Sequence, residues 1–112
     1  IEGSEGWEIT EELLSYTKNA NVFNKTTFGS KELARFFESY EGDIESVELV
    51  GVCTDICVIS NALVIKSVLP NVKIYVDAKG CAGVTPKSHD TAIEAMKACH
   101  IHIENEGQED WR

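Results

Sequence analysis

Residues 46–58 constrain the fold of this chain more than any other stretch, because a short apolar run leads directly into a helix-starting pattern. Residues 47–52 are rich in valine and apolar apart from Glu48, which predicts a strand covered on both faces. Thr54 or Asp55 then offers an N-cap for a helix. The stretch therefore predicts a strand, a tight turn and a helix.

Cys57 falls in the first turn of that predicted helix. Backbone N–H groups are unpaired there and the helix dipole favours negative charge, so the thiol should lose its proton more readily and act as a nucleophile. Asp55 opposes this effect, because a nearby carboxylate repels a thiolate. The alternative is a small apolar residue buried at a strand–helix junction. Spacing alone does not separate these two interpretations.

The rest of the chain alternates helices and strands with short connections. Further strands are predicted at residues 20–24, 72–76 and 101–103, and helices at residues 9–16, 31–40, 55–68 and 88–99. Ser30 and Ser88 are the predicted caps of two of these helices. Apolar side chains at helical spacing are predicted to face the core: Leu33, Phe36, Phe37, Ala92, Ile93 and Met96. This alternation predicts an α/β fold, a parallel sheet with helices on both faces.

In such sheets, ligands bind beyond the carboxyl ends of the strands. Four side chains fall at or just beyond predicted carboxyl ends: Lys25, Cys53, Cys57 and Asp77. The pattern predicts a site that combines a cation, thiols and a carboxylate. Taken alone, Lys25 is typical of a solvated lysine and Asp77 of a cap on the following loop. Beside a thiolate, Lys25 would lower the pKa of the thiol.

The three histidines supply neither a clear proton shuttle nor a metal site. His100 and His102 alternate on a predicted strand and share a face, but no third ligand of suitable spacing lies near, so we do not expect them to bind a metal. His89 lies just inside a helix start and is predicted to be a surface residue. No His or Asp is clearly placed as the general base that a cysteine hydrolase needs.

Composition excludes several classes of function. The 112 residues suit one small domain, and 19 acidic against 10 basic residues give a net charge of −9, which argues against nucleic acid and anionic membrane surfaces as partners. No apolar run is long enough to span a bilayer, and no signal peptide is visible. The four cysteines lack paired CxxC spacing, so reduced thiols and a cytoplasmic location are expected.

Residues 51–58, Gly-Val-Cys-Thr-Asp-Ile-Cys-Val, closely resemble the nucleophile motif of the isochorismatase-like cysteine hydrolases. Within that superfamily they look most like the nicotinamidases, also called pyrazinamidases. Lys25 with residues 28–29, and the run Val-Asp-Ala at residues 76–78, support the resemblance in the same order along the chain. The resemblance covers residues 25–103.

The resemblance implies that Cys57 is the nucleophile and that Lys25 is a catalytic lysine. Phe28 falls where an aromatic residue flanks the substrate ring. Val52 and Cys53 match a cis peptide bond, and the N–H groups of Cys53 and Cys57 would form an oxyanion hole. The implied reaction is hydrolysis of an amide C–N bond, nicotinamide to nicotinate plus ammonia, through a Cys57 thioester.

The family's catalytic aspartate and metal-binding residues have no counterpart in the motifs found here. We therefore expect residues 1–112 to be the C-terminal portion of one isochorismatase-like domain, a view that the first residue, Ile1, supports. We expect no cofactor in this chain, and a divalent, zinc-like metal held by upstream residues in the complete enzyme. An open sheet edge predicts a homo-oligomer, or pairing with the N-terminal segment.

Two alternatives remain open. The first is another isochorismatase-like hydrolase, with a different small amide or isochorismate as its substrate. The second is a non-catalytic fragment or binding module that keeps the fold. The main reading predicts a small-molecule amide as the partner, and neither nucleic acid nor a membrane.

Overall fold

The computed structural model describes residues 29–40 and 44–112. The elements in chain order are α1 (Lys31–Ser39), β1 (Ser46–Val52), a π-helical turn (Thr54–Val58), α2 (Ile59–Val68), β2 (Lys73–Ala82), α3 (Pro86–Ala98) and β3 (His102–Glu104). The helix predicted at residues 9–16 and the strand predicted at residues 20–24 lie outside the described residues.

The three strands form one parallel sheet in the order β1-β2-β3. Parallel strands joined by helices confirm the predicted α/β class. Among the described residues, β1 is an edge strand, and Val50 and Val52 are 58% and 67% exposed. The prediction that β1 is covered on both faces is therefore wrong for these two side chains.

The core lies on one face of the sheet, under α2 and α3. Alternation along β2 places Ile74, Val76 and Ala78 on that face, where all three are fully buried. The helices close over them with buried apolar side chains: Ala62, Ile65, Ala92, Ile93 and Met96. The predicted inward face of α3 is thereby confirmed.

The predicted cap of α1 is confirmed, since the Ser30 hydroxyl accepts a hydrogen bond from the Leu33 N–H at 3.1 Å. No side chain of α1 is fully buried, however. Leu33 and Phe37 pack half-buried against the core, and Phe36 stacks on Tyr40 with ring centroids 5.8 Å apart. The stripe predicted as core is thus an outer layer, because α1 packs on α2.

β2 continues to Ala82, well beyond the end predicted for this strand at residue 76. The pairing register shifts between Leu49 and Gly51 of β1, and Gly51 then pairs with Cys81. Such an irregularity fits extra residues into one strand. A period-two hydrophobic pattern does not reveal it, which is why the strand appeared shorter in the sequence.

α3 begins earlier than predicted, with Thr85 and not Ser88 at the N-cap. The Thr85 hydroxyl accepts a hydrogen bond from the Ser88 N–H at 3.0 Å, and the Ser88 hydroxyl accepts one from the Thr85 N–H at 3.0 Å. Pro86 occupies a first-turn position, where its fixed φ suits a helix. This reciprocal capping box moves the helix start and sets which side chains of α3 face inward.

Residues 105–112, called here the 105–112 segment, turn back onto β2. Asn105 Nδ2 donates to Asp77 Oδ1 at 2.9 Å, and Trp111 Nε1 donates to the carbonyl oxygen of Cys81 at 2.8 Å. This polar stretch, which follows the last predicted strand, is therefore docked on β2. None of the helices in the described part of the chain is long and apolar enough to cross a bilayer.

Candidate active site

The turn that carries Cys57 is wound around one carbonyl oxygen. The carbonyl of Cys53 accepts hydrogen bonds from the N–H groups of Ile56 and Val58, both at 3.1 Å. The Val52–Cys53 peptide bond is cis, as the resemblance implies. The turn runs directly into α2, so Cys57 lies on the first helical turn after β1.

Neither Thr54 nor Asp55 is the N-cap, contrary to the sequence prediction. Cys53 holds that position and makes no capping hydrogen bond through its side chain. The Thr54 hydroxyl lies 2.7 Å from His89 Nδ1, and Asp55 Oδ1 accepts the N–H of Val84 at 3.1 Å. Both side chains therefore tie the turn to residues that follow β2.

Asn61, on α2, supplies a third tie. Its Nδ2 donates to the carbonyl oxygen of Cys57 at 2.9 Å, and its Oδ1 accepts the N–H of Ser30 at 2.8 Å. Asn61 thus links the backbone of the candidate nucleophile to the start of α1. Sequence reasoning missed this residue; its one signal was a polar side chain near the start of a mostly apolar helix.

Cys57 lines a cavity of 140 Å³ beside the edge of β1. Its walls are mostly apolar and come from β1, α1 and the π-helical turn with the start of α2: Leu33, Leu49, Val50, Gly51, Val52, Cys57, Val58 and Asn61. Cys53 and Cys57 are both partly exposed, whereas Cys81 is buried. A partly exposed thiol on a small cavity fits a nucleophile better than a buried packing residue.

The charge nearest to Cys57 along the turn is the carboxylate of Asp55. Desolvation raises the pKa of Asp55, but hydrogen bonds from the Val84 N–H and the Ser88 hydroxyl outweigh it, and the net pKa lies below the ordinary value. Asp55 is therefore ionised at neutral pH and opposes a thiolate, as the sequence predicts. The carboxylate of Asp55 accepts a hydrogen bond from the loop after β2.

The burial of Cys81 raises the pKa of its thiol, with Asp77 and Glu109 adding to the rise against a hydrogen bond from Gly51. This cysteine is a core residue with its thiol kept neutral. The structure thus separates the cysteines by environment, which their spacing in the sequence did not do.

Of the predicted site residues, Cys53 and Cys57 are brought together in one turn. Lys25 and Phe28 lie outside the described residues, so their places in the site stay predictions.

The prediction that Asp77 marks the carboxyl end of its strand is wrong. Asp77 lies within β2, which runs on to Ala82. Its Oδ1 accepts the N–H of Lys79 at 3.1 Å, the local capping role that the sequence favoured for Asp77 alone. The carboxylate is therefore not part of the cluster predicted around the thiol.

His89 is the functional candidate that sequence reasoning placed wrongly. It was predicted to lie on the surface, yet it is fully buried, between Thr54 Oγ1 at 2.7 Å and Glu109 Oε1 at 2.9 Å. A signal was available, because His89 lies three, four and seven residues before the inward-facing side chains of α3. A helix start placed at Ser88 concealed that spacing.

Within residues 29–40 and 44–112, no three His, Cys, Asp or Glu side chains converge so as to hold a metal ion. His102 packs its ring on Tyr75 at 5.1 Å, and His100 adopts a φ of 65° in the turn before β3. The donor set of the described residues does not fit a metal.

A model of the isochorismatase domain matches residues 1–106. The match extends over nearly the whole chain, and the parallel sheet with a cysteine-bearing turn after β1 agrees with it. This chain belongs to the isochorismatase family.

Solved structures of the same fold include the nicotinamidase SaPncA of Staphylococcus aureus, at 28% identity and a TM-score of 0.73, over 93% of this chain and 68% of that one. The nicotinamidase/pyrazinamidase PncA of Bacillus subtilis matches at 24% identity and a TM-score of 0.73, over 93% of this chain and 60% of that one. This chain therefore spans less than two thirds of the Bacillus protein.

The pyrazinamidase of Pyrococcus horikoshii, solved in complex with zinc, matches at 25% identity and a TM-score of 0.57, over 71% of this chain and 44% of that one. No curated protein sequence matches this chain significantly. The similarity to known proteins is thus carried by the family model and by shared structure.

Proposed function

We propose that this chain carries the nucleophile of an isochorismatase-like hydrolase that cleaves the C–N bond of a small amide, with nicotinamide as the substrate. The observation that carries the proposal is Cys57 itself, a partly exposed thiol on the first turn after a parallel strand, lining a small cavity. The solved nicotinamidase of Staphylococcus aureus supports the choice of substrate.

In the proposed reaction the Cys57 thiolate attacks the carbonyl carbon of the amide, and the carbonyl oxygen becomes an oxyanion. The N–H groups of Cys53 and Cys57 stabilise that charge, and each such donor contributes roughly 2.7–4 kcal/mol to transition-state stabilisation. The C–N bond then breaks, and the amide nitrogen takes up a proton and leaves as ammonia. Water hydrolyses the resulting thioester, which releases the carboxylic acid and restores the thiol.

We assign two further roles from the resemblance. The Lys25 ammonium favours the thiolate form of Cys57, and Phe28 flanks the substrate ring. Protonation of the departing nitrogen is assigned to an aspartate of the family type.

In the full-length protein, Cys57→Ala should abolish the release of ammonia from nicotinamide, because no thiolate remains to attack the carbonyl. Cys99→Ala is the matched control, since Cys99 is exposed at the end of α3, away from the cavity, and its loss should leave the rate unchanged. Ammonia release is measured against nicotinamide concentration, after circular dichroism has shown that both variants fold alike. Loss of activity in both variants, or in neither, contradicts the assignment.

Parallel assays separate the remaining alternatives. Turnover of isochorismate or of another small amide, in place of nicotinamide, would change the substrate and keep the family chemistry. No turnover of any of them, together with a Cys57 thiol that alkylates no faster than Cys99, would favour a non-catalytic binding module.

A further inference from the structure

We propose that His89 is a positioning residue for the nucleophile: through Thr54 it fixes the turn that carries Cys57, and Glu109 of the 105–112 segment holds it in place. This inference rests on the proposed function of Cys57. It concerns a group that touches neither the substrate nor the thiol, and it gives the 105–112 segment a role in the reaction.

A continuous path of hydrogen bonds connects these residues. His89 Nδ1 lies 2.7 Å from Thr54 Oγ1, and His89 Nε2 lies 2.9 Å from Glu109 Oε1. The second oxygen of Glu109 accepts from Arg112 Nε at 2.6 Å. Thr54 and His89 are fully buried and Glu109 is 5% exposed. Because buried polar groups are costly without partners, each member of the path fixes the next.

The ionised state of Glu109 sets the direction of these bonds. Burial raises the pKa of Glu109, but hydrogen bonds from Arg112 and His89 outweigh it and bring the pKa to about 2. The carboxylate therefore only accepts hydrogen bonds, and His89 Nε2 carries the proton that it donates. In the neutral ring Nδ1 is then an acceptor, and the Thr54 hydroxyl donates to it.

Close packing surrounds His89 on two sides. A Cβ atom placed on Gly83 would lie 2.9 Å from His89 Cβ and 2.9 Å from its backbone nitrogen, so the loop after β2 packs against the backbone of His89. On another side, the ring of Trp111 meets the imidazole edge-on, with centroids 4.8 Å apart and planes at 90°. The 105–112 segment therefore packs directly against the imidazole ring.

Thr54 connects the hydrogen-bond path to the turn that carries Cys57. It is the first residue of the turn and directly follows Cys53, whose carbonyl accepts two N–H groups of the turn. Fixing Thr54 therefore fixes the peptide group whose oxygen the turn is wound around. A displacement of about 1 Å in a catalytic group can lower a rate by roughly 100-fold.

Thr54→Val tests the proposal, because it keeps the shape of the side chain and removes the bond to His89. Thr54→Ser restores the hydroxyl, and Thr91→Val makes the same change on the exposed side of α3, where the hydroxyl bonds the Lys87 carbonyl at 2.9 Å. We expect Thr54→Val to lower kcat for nicotinamide roughly tenfold or more with KM little changed. Thr54→Ser and Thr91→Val should keep the original kcat.

Alkylation by iodoacetamide gives a second measurement, which does not depend on turnover. Peptide mass mapping follows Cys57, with the exposed Cys99 as the reference within the same molecule. Thr54→Val should slow alkylation of Cys57 and leave Cys99 unchanged. Glu109→Gln acts at the far end of the path. If Thr54→Val folds poorly, Glu109→Gln should still slow the alkylation of Cys57 and leave that of Cys99 unchanged.

A folded Thr54→Val protein with unchanged kcat and unchanged Cys57 alkylation would overturn the positioning role. Equal loss of activity in Thr91→Val, or unchanged Cys57 reactivity in Glu109→Gln, would overturn it as well. Failure of the proposed function looks different: the unaltered protein would release no ammonia from nicotinamide, or Cys57→Ala would release it at the full rate, whatever the alkylation rates in the Thr54 variants.

Discussion

Three polar side chains tie the turn of Cys57 to separate parts of the chain. Thr54 bonds α3, Asp55 bonds the loop after β2, and Asn61 bonds the start of α1. The sequence indicated that Thr54 and Asp55 would form hydrogen bonds in this turn, but not which groups they would bond. Ser, Thr and Asp serve equally well as helix caps and as long-range anchors, so the type alone could not exclude capping for Thr54 and Asp55.

Gly83→Ala should lower the free energy of unfolding by about 1–3 kcal/mol, as overpacking of a well-filled site does. The added methyl group would meet the Cβ and the backbone of His89, which cannot move aside within α3. Urea unfolding followed by circular dichroism measures the change.

Gly80→Ala is the control for that substitution. Its new Cβ would also be close to a neighbour, at 2.7 Å, but the neighbour is a side-chain atom of Val50, which is 58% exposed and free to change rotamer. We expect Gly80→Ala to lower the free energy of unfolding by less than Gly83→Ala does. Equal destabilisation of the two variants would show that His89 does not set the limit at Gly83.

At the scale of elements, sequence patterns located each α-helix and strand that the structure describes but did not distinguish the π-helical turn from α2, and one end each of α3 and β2 was misplaced by more than one residue. The start of α3 was misread because Thr85 and Ser88 cap each other, so both look like caps in the sequence. The end of β2 was misread because its register shift interrupts the alternation. In both places a local arrangement of the backbone overrides a periodic signal.

Thr85→Ala should destabilise the protein by about 1 kcal/mol, because the N–H of Ser88 loses its acceptor and the capping box is broken. Thr91→Ala, in the exposed middle of α3, is the control and should be neutral or slightly stabilising, since alanine has the higher helix propensity. Thermal unfolding of both variants checks this. A Tm for Thr85→Ala at or above that of Thr91→Ala would contradict the capping role.

At the scale of the whole molecule, the α/β class and the place of Cys57 in the turn after β1 could be predicted, whereas the docking of the 105–112 segment could not. Its composition is polar, and single contacts with residues distant in sequence hold it in place, such as Trp111 with Cys81 and Glu109 with His89. Contacts of this kind leave no periodicity in a sequence, and periodicity is what sequence reasoning detects.

Glu109 should make the stability of the whole molecule depend on pH. Its pKa is about 2 in the folded state, against 4.5 as the ordinary value. A carboxyl group lowered in this way stabilises the fold above its unfolded pKa and loses that contribution as the pH falls through its folded pKa. Urea unfolding should therefore show less stability for Glu109→Gln at neutral pH, and a smaller loss of stability on acidification toward pH 2.

Glu94→Gln is the matched control for the acid series. Glu94 is exposed and forms only a surface ion pair with Lys97 at 3.4 Å, an interaction of little weight. Its curve of stability against pH should follow that of the unaltered protein. If the Glu109→Gln curve did the same, the buried carboxylate would have no part in the acid sensitivity.

The edge-on contact between Trp111 and His89 also has an optical consequence. The chain has two tryptophans, and replacing Trp7 by Phe leaves Trp111 as the single tryptophan, with the centroid of its ring 4.8 Å from that of a buried imidazole and its indole N–H bonded to the Cys81 carbonyl. Tryptophan emission, excited selectively over that of the three tyrosines, then reports the environment of the 105–112 segment. Release of that segment can be timed separately from the loss of helix and sheet, with no label added.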